Sequence, residues 1–284
     1  MQKYMFLWYS NNSGKGFIMR KTNYHMHTRR CMHASGTDEE YVKSAIRNGY
    51  EEIGFSDHSP WKYDSDFVAH MRMPLSKFDD YYNSIAELRE KYKNQISIKI
   101  GLECEYFPKY MDWLKQFIVE KKLDYIIFGN HYYKTDEKRV YFGTACEKED
   151  FLIHYVDEAI AGMKTGLYSY LCHPDLFMRG RRIFDEAAKR ESIRLCEAAK
   201  KLNIPLEYNL AGAAYNAIMH TMQYPHEEFW KIAAEVGNTA IIGVDAHEPA
   251  AMETDRYRNE GLNYLQKLGM EIIDTLDFKD FSKL

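Results

Sequence analysis

The sequence predicts an α/β fold, a barrel of parallel strands with a metal site at the C-terminal strand ends. Three observations carry that expectation. Short apolar, β-branched or aromatic runs alternate with longer amphipathic segments along the whole chain. Each of those runs finishes in a histidine, an aspartate or a glutamate. The composition, 45% hydrophobic and 28% charged with 7 prolines, is that of a globular chain and excludes a mainly disordered one.

The runs expected as strands cover residues 22–26, 52–56, 96–102, 125–128, 168–171, 205–208 and 240–244. Helices are expected between and after them, over 38–48, 77–92, 111–121, 148–165, 184–202, 227–236 and 256–268. Thr37-Asp38-Glu39-Glu40 reads as a helix start, with acids in the first turn. Gly49, Gly166 and Gly237 stand where helices should end. Strand–helix alternation implies parallel pairing through crossover helices, and seven such units favour a closed or nearly closed barrel over an open doubly wound sheet. No linker, repeat or low-complexity tract divides the chain, so residues 19–284 are expected to form one domain. Residues 1–18 read as an extension, with Met19 as a candidate start.

Several function classes are disfavoured. A net charge of -4 gives no broad basic surface for long nucleic acid or an anionic membrane. No apolar run approaches the ~20 residues that span a bilayer, and the N-terminus makes a poor secretory signal. Five scattered cysteines, an odd number, suit a reducing cytoplasm better than a disulfide framework. No strand–G-x-x-x-x-G-K-[ST]–helix phosphate loop occurs.

The 11 histidines carry the functional signal. His25 and His27 are two apart at the first strand end, so both point to one face. His33 follows in the loop. The second strand ends in Asp57 and His58, the third in Glu103 and Glu105, and the fourth in His131. The fifth ends in His173 and Asp175, the sixth in Glu207 and Asn209, the seventh in Asp245 and His247. A lone histidine is as readily a hydrogen-bonded core residue, which is the reading for His70, His154 and His220. Repetition at seven strand ends is different, because a parallel barrel brings all of them to one rim. Imidazole and carboxylate gathered there suit Zn, Mn or Fe. Cys31, Cys104 and Cys172 lie near these positions and read as small apolar filling or support rather than nucleophiles.

The ordered series H-x-H, H, D-H, G-x-E, G-N-H, H-P-D, E-x-N and G-x-D-A-H, from Asn23 to Glu248, resembles the PHP (polymerase and histidinol phosphatase) superfamily. The resemblance implies a distorted (β/α)7 barrel with three divalent metal ions. It implies that His25, His27, Glu103 and Asp245 hold the first, that Glu103 bridges to a second held by His131 and His173, and that His33, His58 and His247 hold the third. Such a centre offsets about six positive charges with only two carboxylates, so it should attract a phosphate dianion and make hydroxide available on a metal near neutral pH to attack phosphorus. Asp57 and Asp175, beside ligand positions, are candidates for donating the leaving group's proton or for orienting ligands.

HMHTRRCMH and GVDAH, with Tyr224-Pro225 before a helix, resemble the histidinol-phosphate phosphatase branch. That resemblance implies hydrolysis of L-histidinol phosphate in histidine biosynthesis, with Arg179 gripping the phosphate and Arg181 and Arg182 adding to it. The second phosphate arginine of that branch falls here on Ala214. Tyr215 beside it and His226 after Pro225 are the candidates to line the substrate pocket, His226 supplying the missing charge or hydrogen bond. Loss of a charge-assisted contact costs ~1.5–3 kcal/mol, enough to change the preferred ester. Hydrolysis of a nucleotide, sugar phosphate or phosphotyrosine, and a non-catalytic metal-binding module, are the alternative readings. The expected partner is a small phosphorylated substrate; neither long nucleic acid nor membrane is expected, and the oligomeric state is not legible.

Overall fold

Short strands, all parallel, define the computed structural model of the protein, which describes residues 19–284. The expected extension over residues 1–18 lies outside the described residues. β1 (Thr22–Asn23), β2 (Glu52–Phe55), β3 (Ser97–Cys104) and β4 (Tyr125–Phe128) pair in that order. β5 (Leu206–Asn209), β6 (Thr239–Gly243) and β7 (Glu271–Ile273) form a second parallel run. Leu171 joins the two runs by bridging Phe128 on one side and Leu206 on the other. Met26 bridges Ala246 and closes the ring at the C-terminal rim. At the opposite end Asp274 accepts hydrogen bonds from the Arg20 N–H and the Thr22 hydroxyl, so β7 fills the gap between β6 and β1. The result is a distorted α/β barrel.

The helices are α1 (Asp38–Arg47), α2 (Phe78–Tyr92), α3 (Met111–Glu120), α4 (Phe142–Ala145), α5 (Glu149–Lys164), α6 (Glu186–Lys201), α7 (Leu210–Met219), α8 (Glu227–Val236) and α9 (Arg256–Lys267). α1 starts as expected: Thr37 and Glu40 form a reciprocal capping box. Gly49, Gly166 and Gly237 all adopt positive φ at helix ends.

Four elements differ from the sequence reading, the short helix α4 being one that was not expected. Residues 168–171, expected as a strand, form a bridge at Leu171 only. Their hydrogen bonds are split between two neighbours, with Ser169 and Cys172 donating to β4 and Leu171 to Pro205. β7 was not expected, because a run of three residues carries little periodicity. α7 was not expected either. It follows β5 with no loop, and its sequence LAGAAYNAIM has no clear polar face.

The helices cover the barrel through one large apolar core. A smaller cluster inside the ring contains Tyr24, Tyr125, Ile127, Tyr170, Cys172 and Ile241. The Tyr125 hydroxyl donates to the Tyr24 and Phe55 carbonyls, so its ring crosses the lumen. Burying a large apolar side chain of this kind contributes ~1.5–3 kcal/mol. Among the described residues no helix is long and apolar enough to cross a membrane.

Candidate metal centre

Met26 turns into the apolar core, so His25 and His27 on either side of it face the rim. Both are fully buried. Glu103, at the end of β3, stands among the histidines. Its Oε1 lies 3.2 Å from His131 Nε2 and 3.1 Å from His173 Nε2. Its Oε2 lies 3.5 Å from His25 Nε2, 3.5 Å from His27 Nε2 and 3.0 Å from His58 Nδ1. Asp245 Oδ1 lies 3.4 Å from His25 Nε2, 3.2 Å from His27 Nε2 and 3.5 Å from His247 Nδ1. His33 completes the group, with its ring 4.7 Å from His247 and 5.4 Å from His58. The nine positions expected as ligands therefore meet in one place. One detail differs from the expected partition: His27 also clusters with His58 and His247, and Cys31 with His33 and His247.

Several of these atoms are arranged for a cation rather than for one another. His25 Nε2, both ring nitrogens of His27, His58 Nδ1 and Glu103 Oε2 are buried with no hydrogen-bond partner among the described residues. Converging orphaned donors and acceptors of this kind are rare unless an ion satisfies them. Burial alone would raise the Glu103 carboxyl, but His131, His25 and His58 hold it well below the usual carboxylate range. Asp245 behaves the same way, burial being outweighed by His25, His27 and His247. Burial and the neighbouring His27 push His247 down to about 4, so its imidazole is neutral at neutral pH. His173 and Asp245 carry positive φ, 28° and 53°, which for non-glycine residues costs of order 1–3 kcal/mol and is typical of functional sites.

The supporting carboxylates were read in the sequence only as strand-end acids. Glu207 Oε1 is 2.7 Å from His25 Nδ1, and its Oε2 accepts the His173 N–H and the Asn209 amide. Asn209 also donates to Asp245 and caps α7. Glu105 Oε1 is 3.1 Å from His131 Nδ1. The buried Arg72 grips Glu105 through two nitrogens and donates to Asp136 at 2.9 Å, and the Trp61 indole donates to Glu105 Oε2 at 2.8 Å. Carboxylates on the far ring nitrogen fix each imidazole's tautomer and raise its basicity. Arg72 gave no signal in the sequence, since an isolated arginine in a loop reads as solvated.

Gly129 marks how tightly the centre is packed. A Cβ there would overlap Glu103 Oε1 and His131 Cε1. Gly129→Ala is expected to displace both side chains, at a cost of ~1–3 kcal/mol in stability. Metal content after dialysis, read by atomic emission, should fall with it.

The remaining predicted residues separate. Asp57 and Asp175, expected as proton donors or as orienting groups, have different surroundings: Asp57 lies beside His27, and Asp175 Oδ1 is buried with no hydrogen-bond partner among the described residues. Asp57 accepts from the Thr28 hydroxyl and the His58 N–H, and its Oδ1 is 3.6 Å from His27 Nδ1. Asp175 Oδ2 accepts the His226 N–H at 2.6 Å, tying the turn after His173 to the start of α8. Its burial raises the carboxyl to about 7. Arg179 is exposed; its guanidinium donates to the Tyr141 hydroxyl at 3.3 Å, and no carboxylate pairs with it among the described residues. Arg181 is tied to Asp185 and to the Cys146 carbonyl. Arg182 is exposed. Tyr215 is 42% exposed on α7, on the same helix as Ala214. His226 was expected to supply a charge or a hydrogen bond, and its surroundings favour the neutral ring. Its Nδ1 caps α8 by accepting the Glu228 N–H, its ring stacks 4.9 Å from Phe184, and burial lowers its pKa, so it is neutral at neutral pH.

The profile of the PHP domain family matches residues 23–211, more than half of the chain. The chain belongs to the PHP domain family. This PHP chain is 23% identical, over 240 residues, to a protein named probable histidinol-phosphatase in Deinococcus radiodurans, covering 79% of this chain and 85% of that one. It is 31% identical over 124 residues to the histidinol-phosphatase of Bacillus subtilis, covering 42% of this chain and 46% of that one. Its fold matches a crystal structure of histidinol phosphate phosphatase from Lactococcus lactis complexed with Zn, L-histidinol and phosphate. The TM-score is 0.68 at 20% identity, covering 92% of this chain and 100% of that one. The PHP assignment accounts for the distorted barrel and for the order in which the histidines and acids arrive at the rim.

Proposed function

We propose that this PHP chain hydrolyses a small phosphate monoester, L-histidinol phosphate, to L-histidinol and phosphate with divalent metal ions. The observation that carries the reading is the convergence of nine histidine and carboxylate side chains, Glu103 among them, with buried ring nitrogens left unpaired. In this reading His25, His27, Glu103 and Asp245 would hold one ion, Glu103 with His131 and His173 a second, and His33, His58 and His247 a third. When bound, the ions supply positive charge for the phosphate and an activated water at neutral pH. The chain's own groups do the rest. Glu207, Asp57 and Glu105 orient His25, His27 and His131. Arg179, which has no carboxylate partner among the described residues, takes a phosphate oxygen, and Asp175 anchors its turn to α8. Relatives that carry the histidinol-phosphatase name support the choice of ester.

Metal-loaded protein should release inorganic phosphate from L-histidinol phosphate in preference to sugar phosphates, nucleotides and phosphotyrosine. A strong chelator should abolish that release, and Zn or Mn added back should restore it. His131→Ala is the control. One observation favours a different ester: Ala214 and the neutral, stacked His226 leave the pocket without a second cation. Turnover confined to another ester would replace the substrate and keep the mechanism.

A further inference from the structure

We propose that Tyr141 is a positioning residue that holds the Arg179 guanidinium ready for a phosphate oxygen. The inference rests on the phosphomonoesterase reading above. Tyr141 belongs to none of the rim motifs, and it lies between two of them in the fold.

Three contacts place it. The Arg179 guanidinium donates to the Tyr141 hydroxyl at 3.3 Å and lies 5.8 Å from the centre of the same ring. An arginine held both at the face and at the polar edge of one aromatic ring loses much of its rotamer freedom before any anion arrives. Tyr141 is itself fixed to the metal rim through the backbone. The segment that leaves His131 folds back as a short hairpin. Tyr132 bridges Tyr141, the Tyr133 N–H donates to Val140, and the Phe142 N–H returns to the His131 carbonyl at 2.8 Å. The Tyr141 phenol therefore feels the charges of Asp245 and Glu103 as well as that of Arg179.

The third contact is steric. A Cβ on Gly143 would come within 2.6 Å of Tyr141 Cζ and 2.7 Å of its hydroxyl. Only glycine at the start of α4 lets the ring lie flat against the helix, and the ring then presents its hydroxyl to Arg179. The turn that carries Arg179 is pinned to the other end of α4, where Arg181 donates to the Cys146 carbonyl at 2.8 Å. Rim histidine, hairpin, Tyr141, Arg179 and α4 thus form a closed frame. A preorganised arginine binds phosphate better than a mobile one.

The test is a double-mutant cycle on metal-loaded full-length protein, read by calorimetric binding of inorganic phosphate. Steady-state hydrolysis of p-nitrophenyl phosphate is measured alongside. Tyr141→Phe keeps the ring and removes the hydroxyl. It should weaken phosphate binding by ~3–10-fold, and raise KM by a similar factor with kcat little changed, as lost uniform binding requires. Arg179→Ala should cost ~10–100-fold, the scale of a charge-assisted contact at ~1.4 kcal/mol per tenfold. In the Arg179→Ala background, Tyr141→Phe should cost nothing further. Arg179→Lys, which keeps charge without the planar fork, should also be insensitive to Tyr141→Phe. Additive losses, or an unchanged phosphate affinity in Tyr141→Phe, would overturn the proposal. Gly143→Ala, which displaces the ring without changing it, should reproduce the weakened binding at unchanged metal content. Coupling seen with phosphate but no turnover of L-histidinol phosphate would keep this inference and remove only the choice of ester. A wild-type protein that binds metal but no phosphate would overturn both.

Discussion

Glu103→Gln is expected to empty the metal centre and lower phosphate release by ~10³-fold or more, the scale of losing a group on which the whole catalytic constellation depends. The physical reason is position. Glu103 Oε1 faces His131 and His173, and Oε2 faces His25, His27 and His58, so one carboxylate serves both halves of the centre. Glutamine preserves the shape and removes the charge. Asp245 would then be left as the sole carboxylate among the nine, against several divalent cations. Metal stoichiometry by atomic emission and phosphate release would be measured on the same samples. A variant that kept its full metal content and lost activity would show that Glu103 acts on the reaction and not on the metals. Retention of both would sink the proposed centre.

Arg72→Met should destabilise the protein by about 3–5 kcal/mol, the cost of leaving buried carboxylates without their counter-charge. Arg72 is 1% exposed and holds both Glu105 and Asp136. Burial would raise Glu105, but Arg72 and His131 hold it well below its ordinary value of 4.5. A carboxylate with a depressed pKa contributes stability that is complete above the unfolded value and is lost as pH falls below it. The difference between wild type and Arg72→Met should therefore be largest near neutral pH and shrink in acid. Denaturant unfolding of metal-stripped protein between about pH 3 and 7 reads it out. A second effect should accompany the first. With Glu105 no longer held, His131 loses its orienting partner, and metal affinity on that side should fall ~10–100-fold. An unchanged unfolding midpoint would mean that the buried network is dispensable.

These two residues differ in how far the sequence reveals them. Glu103 stands in G-L-E at the end of a clear strand, and its role follows from where parallel strands end. Arg72 lies in an irregular loop, and its partners come from 33 and 64 residues away. Nothing local distinguishes it from a surface arginine. Asp57 and Asp175 fall between these cases. Their placement beside His58 and His173 was legible, but the groups that the fold sets against their oxygens were not. His226 illustrates the same limit: its neighbour Pro225 and the helix after it are visible in the sequence, while its stacking on Phe184 is not.

By itself the sequence determined the alternation of strand and helix, the rim to which His25, His27, His33, His58, Glu103, His131, His173, Asp245 and His247 are delivered, and the kind of chemistry that such a set performs. These are consequences of local periodicity and of the direction in which parallel strands run, and both are written in neighbouring residues. Tertiary structure decided the rest. It closed the ring through Leu171 and Met26, set Glu207 against His25 across 182 residues of chain, turned His226 into a cap, and brought Tyr141 to Arg179. Each of these depends on strand register and on backbone turns that bring distant segments within hydrogen-bond reach, and no periodicity along the chain encodes that distance.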